Sequence, residues 1–284
     1  GLFLNFLRGE FMKYFHRLEM FVSCASENDV IFEGYSLILP AVSIGNVGQL
    51  AIDLLIYNLD FKKVGYLYHH SILPLVGNDP FSSPKIPQGN LVTSAEVYKC
   101  DEKKLVVVQL RAPLAKGCRQ VFSDHVVRWI KECRIKQTIL LTSCVASERL
   151  DSQIQSGPFR YLLSPETQHL NELFQTKFNW RCLEERNVEE KELSDVFLPG
   201  GGVSKRFYRT CRKENVPLVT LLVFCAEGNN IPDATILLQF ANIWLQMKTN
   251  KTNVSDDPQL GEVQWHQPPS WDNLYGTSSF SSLF

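Results

Sequence analysis

The sequence has no charge of either sign to spare: 29 Lys and Arg against 30 Asp and Glu leave a net charge of −1 over 284 residues. Nucleic acid and anionic membranes are bound through summed positive charge, so neither is expected as a partner. Long apolar runs are missing too. The longest, Leu218 to Ala226, has Thr220 inside it and falls well short of the roughly 18 residues of a membrane span. Closely spaced cysteines are lacking as well. The eight, Cys24, Cys100, Cys118, Cys133, Cys144, Cys182, Cys211 and Cys225, have neither zinc-knuckle nor redox-pair spacing. With no clear secretion signal, they read as reduced thiols of a cytoplasmic and nuclear protein, and the sequons at Asn250 and Asn253 then go unused. No Gly-x-Ser-x-Gly elbow occurs, and no glycine turn matches a dinucleotide or nucleotide-triphosphate loop. No metal or cofactor is expected.

What is present is ample core material, with 44% apolar and 21% charged residues. A chain of this length can bury roughly 75% of its unfolded surface. Residues 1–19 stand apart: Leu2, Phe3, Leu4, Phe6 and Leu7 precede the first basic residue, Arg8, the reverse of the order in a signal peptide. With Met20 as a second start, 1–19 is expected to be upstream or non-native sequence, 20–248 a single α/β domain, and 249–284 an extended tail. Trp265 and Trp271 are expected to anchor that tail.

The domain reads as alternating elements. Tyr35 to Ile44 is a buried strand, and Gly45, Asn46 and Gly48 break it before a helix through Leu50, Asp53, Leu54 and Leu59. Val64 to Tyr68 then completes a strand–helix–strand unit of parallel type. Pro74 to Asn90 is a loop, followed by a hairpin of Leu91–Lys99 and Lys104–Arg111 turning at Asp101 and Glu102. Val121–Cys133 carries Phe122, His125, Val126, Trp129 and Ile130 on one helical face. Thr138–Leu141 and Val219–Cys225 read as buried strands, and Glu166–Phe174, Lys205–Cys211 and Ala234–Met247 as helices. Helices on both sides of a sheet that contains a hairpin give a three-layer α/β/α domain with a mixed sheet.

Three constellations compete for a chemical role. The Gly45–Gly48 turn leads into a helix whose amides suit a phosphate, yet glycines that simply turn the chain, with Asn46 as helix cap, explain it better. Gly200, Gly201 and Gly202 pose the same choice. Glu227, Gly228, Asn230, Pro232 and Asp233 follow the strongest strand, where open α/β sheets place ligands. Glu227 is a candidate base, while Pro232 and Asp233 are also what a helix start requires. His69 and His70, if on a strand, face opposite ways and cannot share a metal. Cys225 reads as a core residue, not a nucleophile.

Taken together, Pro40-Ala-Val-Ser-Ile-Gly-Asn-Val-Gly-Gln-Leu-Ala51, Pro74, Val76, Gly77 and Asn78, Ala95-Glu-Val-Tyr98, Pro158-Phe-Arg-Tyr-Leu-Leu163, Pro199-Gly-Gly-Gly202 and Glu227, Gly228, Asn230 through Ala234 resemble the proteasome assembly chaperone 2 family from Met20 to Phe284. The resemblance implies a non-catalytic chaperone with a core like that of nucleoside phosphorylases. It would pair with proteasome assembly chaperone 1, hold α subunits of the 20S core while their ring forms, and block off-pathway α-ring dimerisation. It also implies a C-terminal peptide that docks between α subunits. Here that peptide ends Ser282, Leu283, Phe284 and lacks the family's tyrosine. Leu283 and Phe284 are the candidate contacts. A phosphorylase- or hydrolase-like enzyme using the 227–233 loop, and a small-ligand sensor, are the alternatives.

Overall fold

The computed structural model describes residues 20–24, 30–82, 89–184, 196–249 and 263–273. In chain order the described strands are β1 (Phe21–Ser23), β2 (Ser36–Pro40), β3 (Lys62–Leu67), β4 (Val76–Asn78), β5 (Leu91–Thr93), β6 (Ala95–Cys100), β7 (Leu105–Leu110), β8 (Gln137–Val145), β9 (Phe159–Leu163) and β10 (Leu218–Cys225). The helices are α1 (Val47–Asn58), α2 (Arg119–Glu132), the single turn α3 (Asp151–Ile154), α4 (Ser204–Lys213) and α5 (Ile231–Leu245). Eight strands form one sheet in the order β1-β3-β6-β7-β2-β8-β10-β9, and β4 and β5 form a separate ribbon. Strands β7, β2, β8 and β10 are parallel neighbours. Both flanks turn antiparallel, through β6 on one side and β9 on the other.

The parallel strands are predominantly apolar on both faces, with Gln109, Thr142, Ser143 and Thr220 among the few polar insertions, because both of their faces are buried. Alternation then divides each strand between two cores. Ile38, Val107, Ile139, Leu141 and Val219 pack toward α1 and α5. Leu37, Leu39, Val106, Val108 and Leu140 pack toward α2 and α4. The result is the three-layer α/β/α domain with a mixed sheet that the element order implied.

Several elements differ from the sequence reading. The first strand stops at Pro40, and β8 runs on to Val145. Strands β2 and β3 do run in the same sense, but the β6–β7 hairpin lies between them. Leu91–Lys99 divides at Ser94 into β5 and β6, and the expected loop at 74–90 contains β4, which pairs with β5. Glu166–Phe174 is no α-helix: a 3-10 helix covers Pro165–Leu170 and a π turn Leu173–Lys177. Strand β9 (Phe159–Leu163) has no counterpart in the sequence reading, because its second residue is Arg160, a residue that argues against a buried strand unless its charge is paired.

The segment from Val263 to Asn273 returns over the α1–α5 layer. Val263, Trp265 and Trp271 belong to the same buried cluster as α1 and α5. Asn250, Asn253, Leu283 and Phe284 lie outside the described residues.

Candidate functional site

The glycine and loop motifs converge at the carboxyl ends of the parallel strands. There the chain leaves β2 through Ala41–Ile44, β8 through Ala146 and β10 through Ala226–Asn230, while Pro199–Gly202 crosses beneath them. Main chain meets main chain directly. Ile44 N–H donates to Gly200 O at 2.9 Å, Val145 N–H to Pro199 O at 2.9 Å, and Ala41 N–H to Leu141 O at 2.8 Å. Gly202 has φ +62°, and any Cβ there would collide with the Val42 carbonyl. Gly45 has φ +66°, and a Cβ would come within 2.5 Å of Asn230 Oδ1. Gly48 lies where α1 touches the Leu141 carbonyl.

Hydroxyls fill what remains. Ser43 Oγ and Ser143 Oγ are 2.7 Å apart, Ser143 N–H donates to Ser43 Oγ at 3.1 Å, and Ser143 Oγ donates to Ile44 O at 2.5 Å. Ser204 Oγ donates to Thr142 Oγ1 at 2.7 Å. The cavity beside Gly202, lined by Val42, Leu110, Leu114 and Arg119 among others, is about 70 Å³. That is well below the several hundred Å³ of a typical small-molecule site.

The loop after β10 is a helix start. Pro232 and Asp233 occupy the first turn of α5. Asn230 is buried, and its Nδ2 donates to Ala226 O and to Asp233 Oδ2, each at 2.8 Å. Glu227 and Gly228 are exposed beyond the strand, and no hydrogen bond among the described residues orients the Glu227 carboxylate. Asn46 does stand at the N-cap of α1, but its side chain makes no cap bond. It contributes a left-handed backbone, φ 52°, which asparagine tolerates. Burial pushes the Cys225 thiol up to about 11 and the Cys144 thiol up to about 12, so neither supplies a thiolate nucleophile near neutrality. Buried carboxylates elsewhere are held in structural pairs: Asp53 accepts from Arg111 Nη1 and Nη2 at 2.9 and 2.8 Å and from Gln109 at 2.7 Å.

The PAC2 family model matches residues 37–257. Proteins named proteasome assembly chaperone 2 are similar along nearly their whole length. That of Nematostella vectensis is 48% identical over 243 residues, covering 83% of this chain and 99% of the relative. That of Homo sapiens is 38% identical over 272 residues, covering 93% of this chain and 100% of the relative. The chain belongs to the PAC2 family. Its fold recurs in Pyrococcus furiosus PbaA, an archaeal homolog of proteasome-assembly chaperone, with a TM-score of 0.59 and 15% identity over 80% of this chain and 86% of that one. Pyrococcus furiosus PbaB, an archaeal proteasome activator, gives 0.55 and 16% over 82% and 92%.

One cluster in this PAC2-family chain escaped the sequence reading. Strand β3 ends at Leu67, so His69 and His70 are not held on opposite faces. Their ring centres are 4.3 Å apart, and that of His125 is 4.8 Å from His69. Ser71 N–H donates to His69 Nδ1 at 3.1 Å, which leaves the His69 proton on Nε2, donated to His125 Nδ1 at 2.7 Å. Among the described residues no group of His, Cys, Asp or Glu is arranged to hold a metal. No spacing signal could have found this trio, because the contact joins positions 69 and 125.

Burial, then the neighbouring His70 and His125, lowers His69 from 6.5 to about 4. A histidine depressed in the folded state leaves the unfolded chain to take the proton first. Its stabilisation is therefore present above pH 6.5 and lost as pH falls toward 4. The unfolding free energy from urea titration is expected to fall across that window, by about 2–3 kcal/mol after allowance for solvent screening, and His69→Gln is expected to flatten the fall. An equal slope in the variant would assign the acid sensitivity elsewhere.

Proposed function

We propose that this chain is a proteasome assembly chaperone that works by binding and carries out no chemistry. The observation that carries the reading is the closed strand-end crevice. Where an α/β enzyme holds its substrate, this PAC2-family chain has main chain packed on main chain at Gly200 and Gly202 and the Asn230 side chain packed on Gly45. The naming of relatives at 38–48% identity as proteasome assembly chaperone 2 supports the same reading. Its partners are a second α/β chaperone, proteasome assembly chaperone 1, and the α subunits of the 20S core. Holding those subunits promotes ring formation and blocks dimerisation of incomplete rings. The division of labour follows the chain: 20–248 as body, 249–284 as tail, with Leu283 and Phe284 entering a pocket between α subunits. Cytoplasm and nucleus are where it acts.

A tagged full-length chain is expected to co-purify with a second α/β chaperone and with free α subunits, but not with finished proteasomes. Deleting Leu283 and Phe284 removes an apolar anchor and is expected to weaken α-subunit capture roughly tenfold while the heterodimer persists. Loss of the heterodimer would overturn the tail assignment. Phosphorolysis of nucleosides by the purified chain, abolished by Glu227→Gln, would overturn the binding role and restore the 227–233 loop as an active site.

A further inference from the structure

The segment Val263–Asn273 is fastened to the domain by a knot of polar contacts as well as by its tryptophans. Asn58, the last residue of α1, uses every hydrogen-bonding position of its side chain. Its Nδ2 donates to Leu54 O at 2.9 Å and to His266 O at 2.7 Å. Its Oδ1 accepts from His266 N–H at 2.9 Å and from Lys248 Nζ at 2.9 Å. The pair with His266 grips one residue's main chain from both sides, as a neighbouring strand would. Lys248 Nζ also donates to Gln264 O at 2.7 Å and stands 5.2 Å from the centre of the Trp265 ring. The Trp265 indole N–H donates to Gln239 on α5 at 3.1 Å. Farther along, Ser270 N–H reaches Pro80 O at 3.4 Å, and Trp271 is 5% exposed.

We infer that Asn58 and Lys248 are positioning residues for the peptide that carries Leu283 and Phe284. This rests on the proposed docking of that peptide to α subunits. With the strap pinned, Leu283 is tethered at Asn273, ten residues away; with it released, the tether begins at Thr249, thirty-four residues away. Ten residues reach at most about 36 Å, so the pinned strap confines the peptide to the neighbourhood of one side of the domain. Effective concentration falls roughly as the −3/2 power of tether length once the span is met, so release is expected to weaken tail engagement about six-fold without touching a contact with the α subunit.

The test uses full-length chain and purified α subunits, with affinity read by surface plasmon resonance and the His266 amide by hydrogen exchange. In the Asn58→Leu/Lys248→Met double variant, His266 exchange is expected to quicken and affinity to fall, by at most about six-fold because Trp265 and Trp271 still pack on the domain. Inserting about 24 Gly and Ser residues after Asn273 is expected to give the same affinity loss with His266 still protected and the melting temperature unchanged, an outcome that a purely structural role for the strap cannot produce. In chain lacking Leu283 and Phe284, neither change is expected to matter further. Rapid His266 exchange in the unaltered chain would overturn the pinning. If the insertion leaves affinity intact while deletion of Leu283 and Phe284 still lowers it, positioning is wrong and tail docking stands. If the deletion itself has no effect, the docking falls, and the inference with it.

Discussion

Replacing Arg160 with Met is expected to cost about 3–5 kcal/mol of folding stability. Arg160 is the second residue of β9, with its side chain fully buried opposite a Glu184 side chain that keeps 28% of its exposure. Nε donates to both Glu184 oxygens, at 2.9 and 3.0 Å. Nη1 holds the carbonyls of Ser156, Gly157 and Phe159 at 3.1, 3.1 and 2.7 Å, and Nη2 donates to Ser156 Oγ at 2.6 Å. Met matches the stem's apolar packing but supplies no donor, so several buried acceptors lose their partners at once. Partial exposure of Glu184 lets water solvate its freed carboxylate, which places the cost toward the lower end of the range.

The same pair sets an acid signature. Burial alone would push the Glu184 carboxyl up, but hydrogen bonds from Arg160 and Gln153 outweigh it and hold the group below the ordinary value of 4.5. A depressed carboxyl stabilises the fold above that value and ceases to do so as pH falls through its folded-state pKa. The gap between wild type and Arg160→Met, measured by urea denaturation, should therefore be wide at pH 7 and narrow progressively as pH falls below 4.5. A gap independent of pH would mean that the carbonyl contacts, not Glu184, carry Arg160's contribution.

Arg160 also marks where reading the sequence reached its limit. Strands β8 and β10 are legible because burial on both faces leaves a predominantly apolar run, and α2 because its buried positions recur at helical spacing. Strand β9 is also largely buried, at the end of the eight-stranded sheet, but carries a cation at its second position, which is tolerable because Glu184 and the surrounding carbonyls pair it. At the strand ends, the residues themselves favour glycine turns over phosphate loops; the structure sets Gly202 against the Val42 carbonyl and Gly45 against the Asn230 side chain, and Asn46 is a left-handed residue and makes no side-chain cap bond. What no local pattern held was the joining of distant positions: His69 to His125, and Asn58 to His266 across 208 residues. Trp265 and Trp271 signalled that the chain returns to the domain. The side chains that fasten it carried no such signal, since an Asn at a helix end and a Lys after one are ordinary in both roles.

The strand-end turn supplies the second large effect. Gly202→Ala is expected to destabilise the domain by roughly 3–5 kcal/mol, whereas Gly157→Ala should cost only about 1–2. Both glycines have left-handed backbones, φ +62° and +59°, so both substitutions carry the same conformational penalty. A methyl at 157 meets nothing within 4 Å, while one at 202 runs into the Val42 carbonyl. That carbonyl cannot easily withdraw, because the main chain on either side of it is tied by Ala41 N–H to Leu141 O at 2.8 Å and Ile44 N–H to Gly200 O at 2.9 Å. Relief of the clash must break one of these bonds, and the lost bond separates the two costs. Equal losses for the two variants would show that the loops can part freely and that close approach is not what Gly202 provides. Because the turn serves packing, α-subunit capture by Gly202→Ala protein should fall only with the folded fraction. Loss of capture in protein that remains folded would instead make the Pro199–Gly202 turn part of the binding surface.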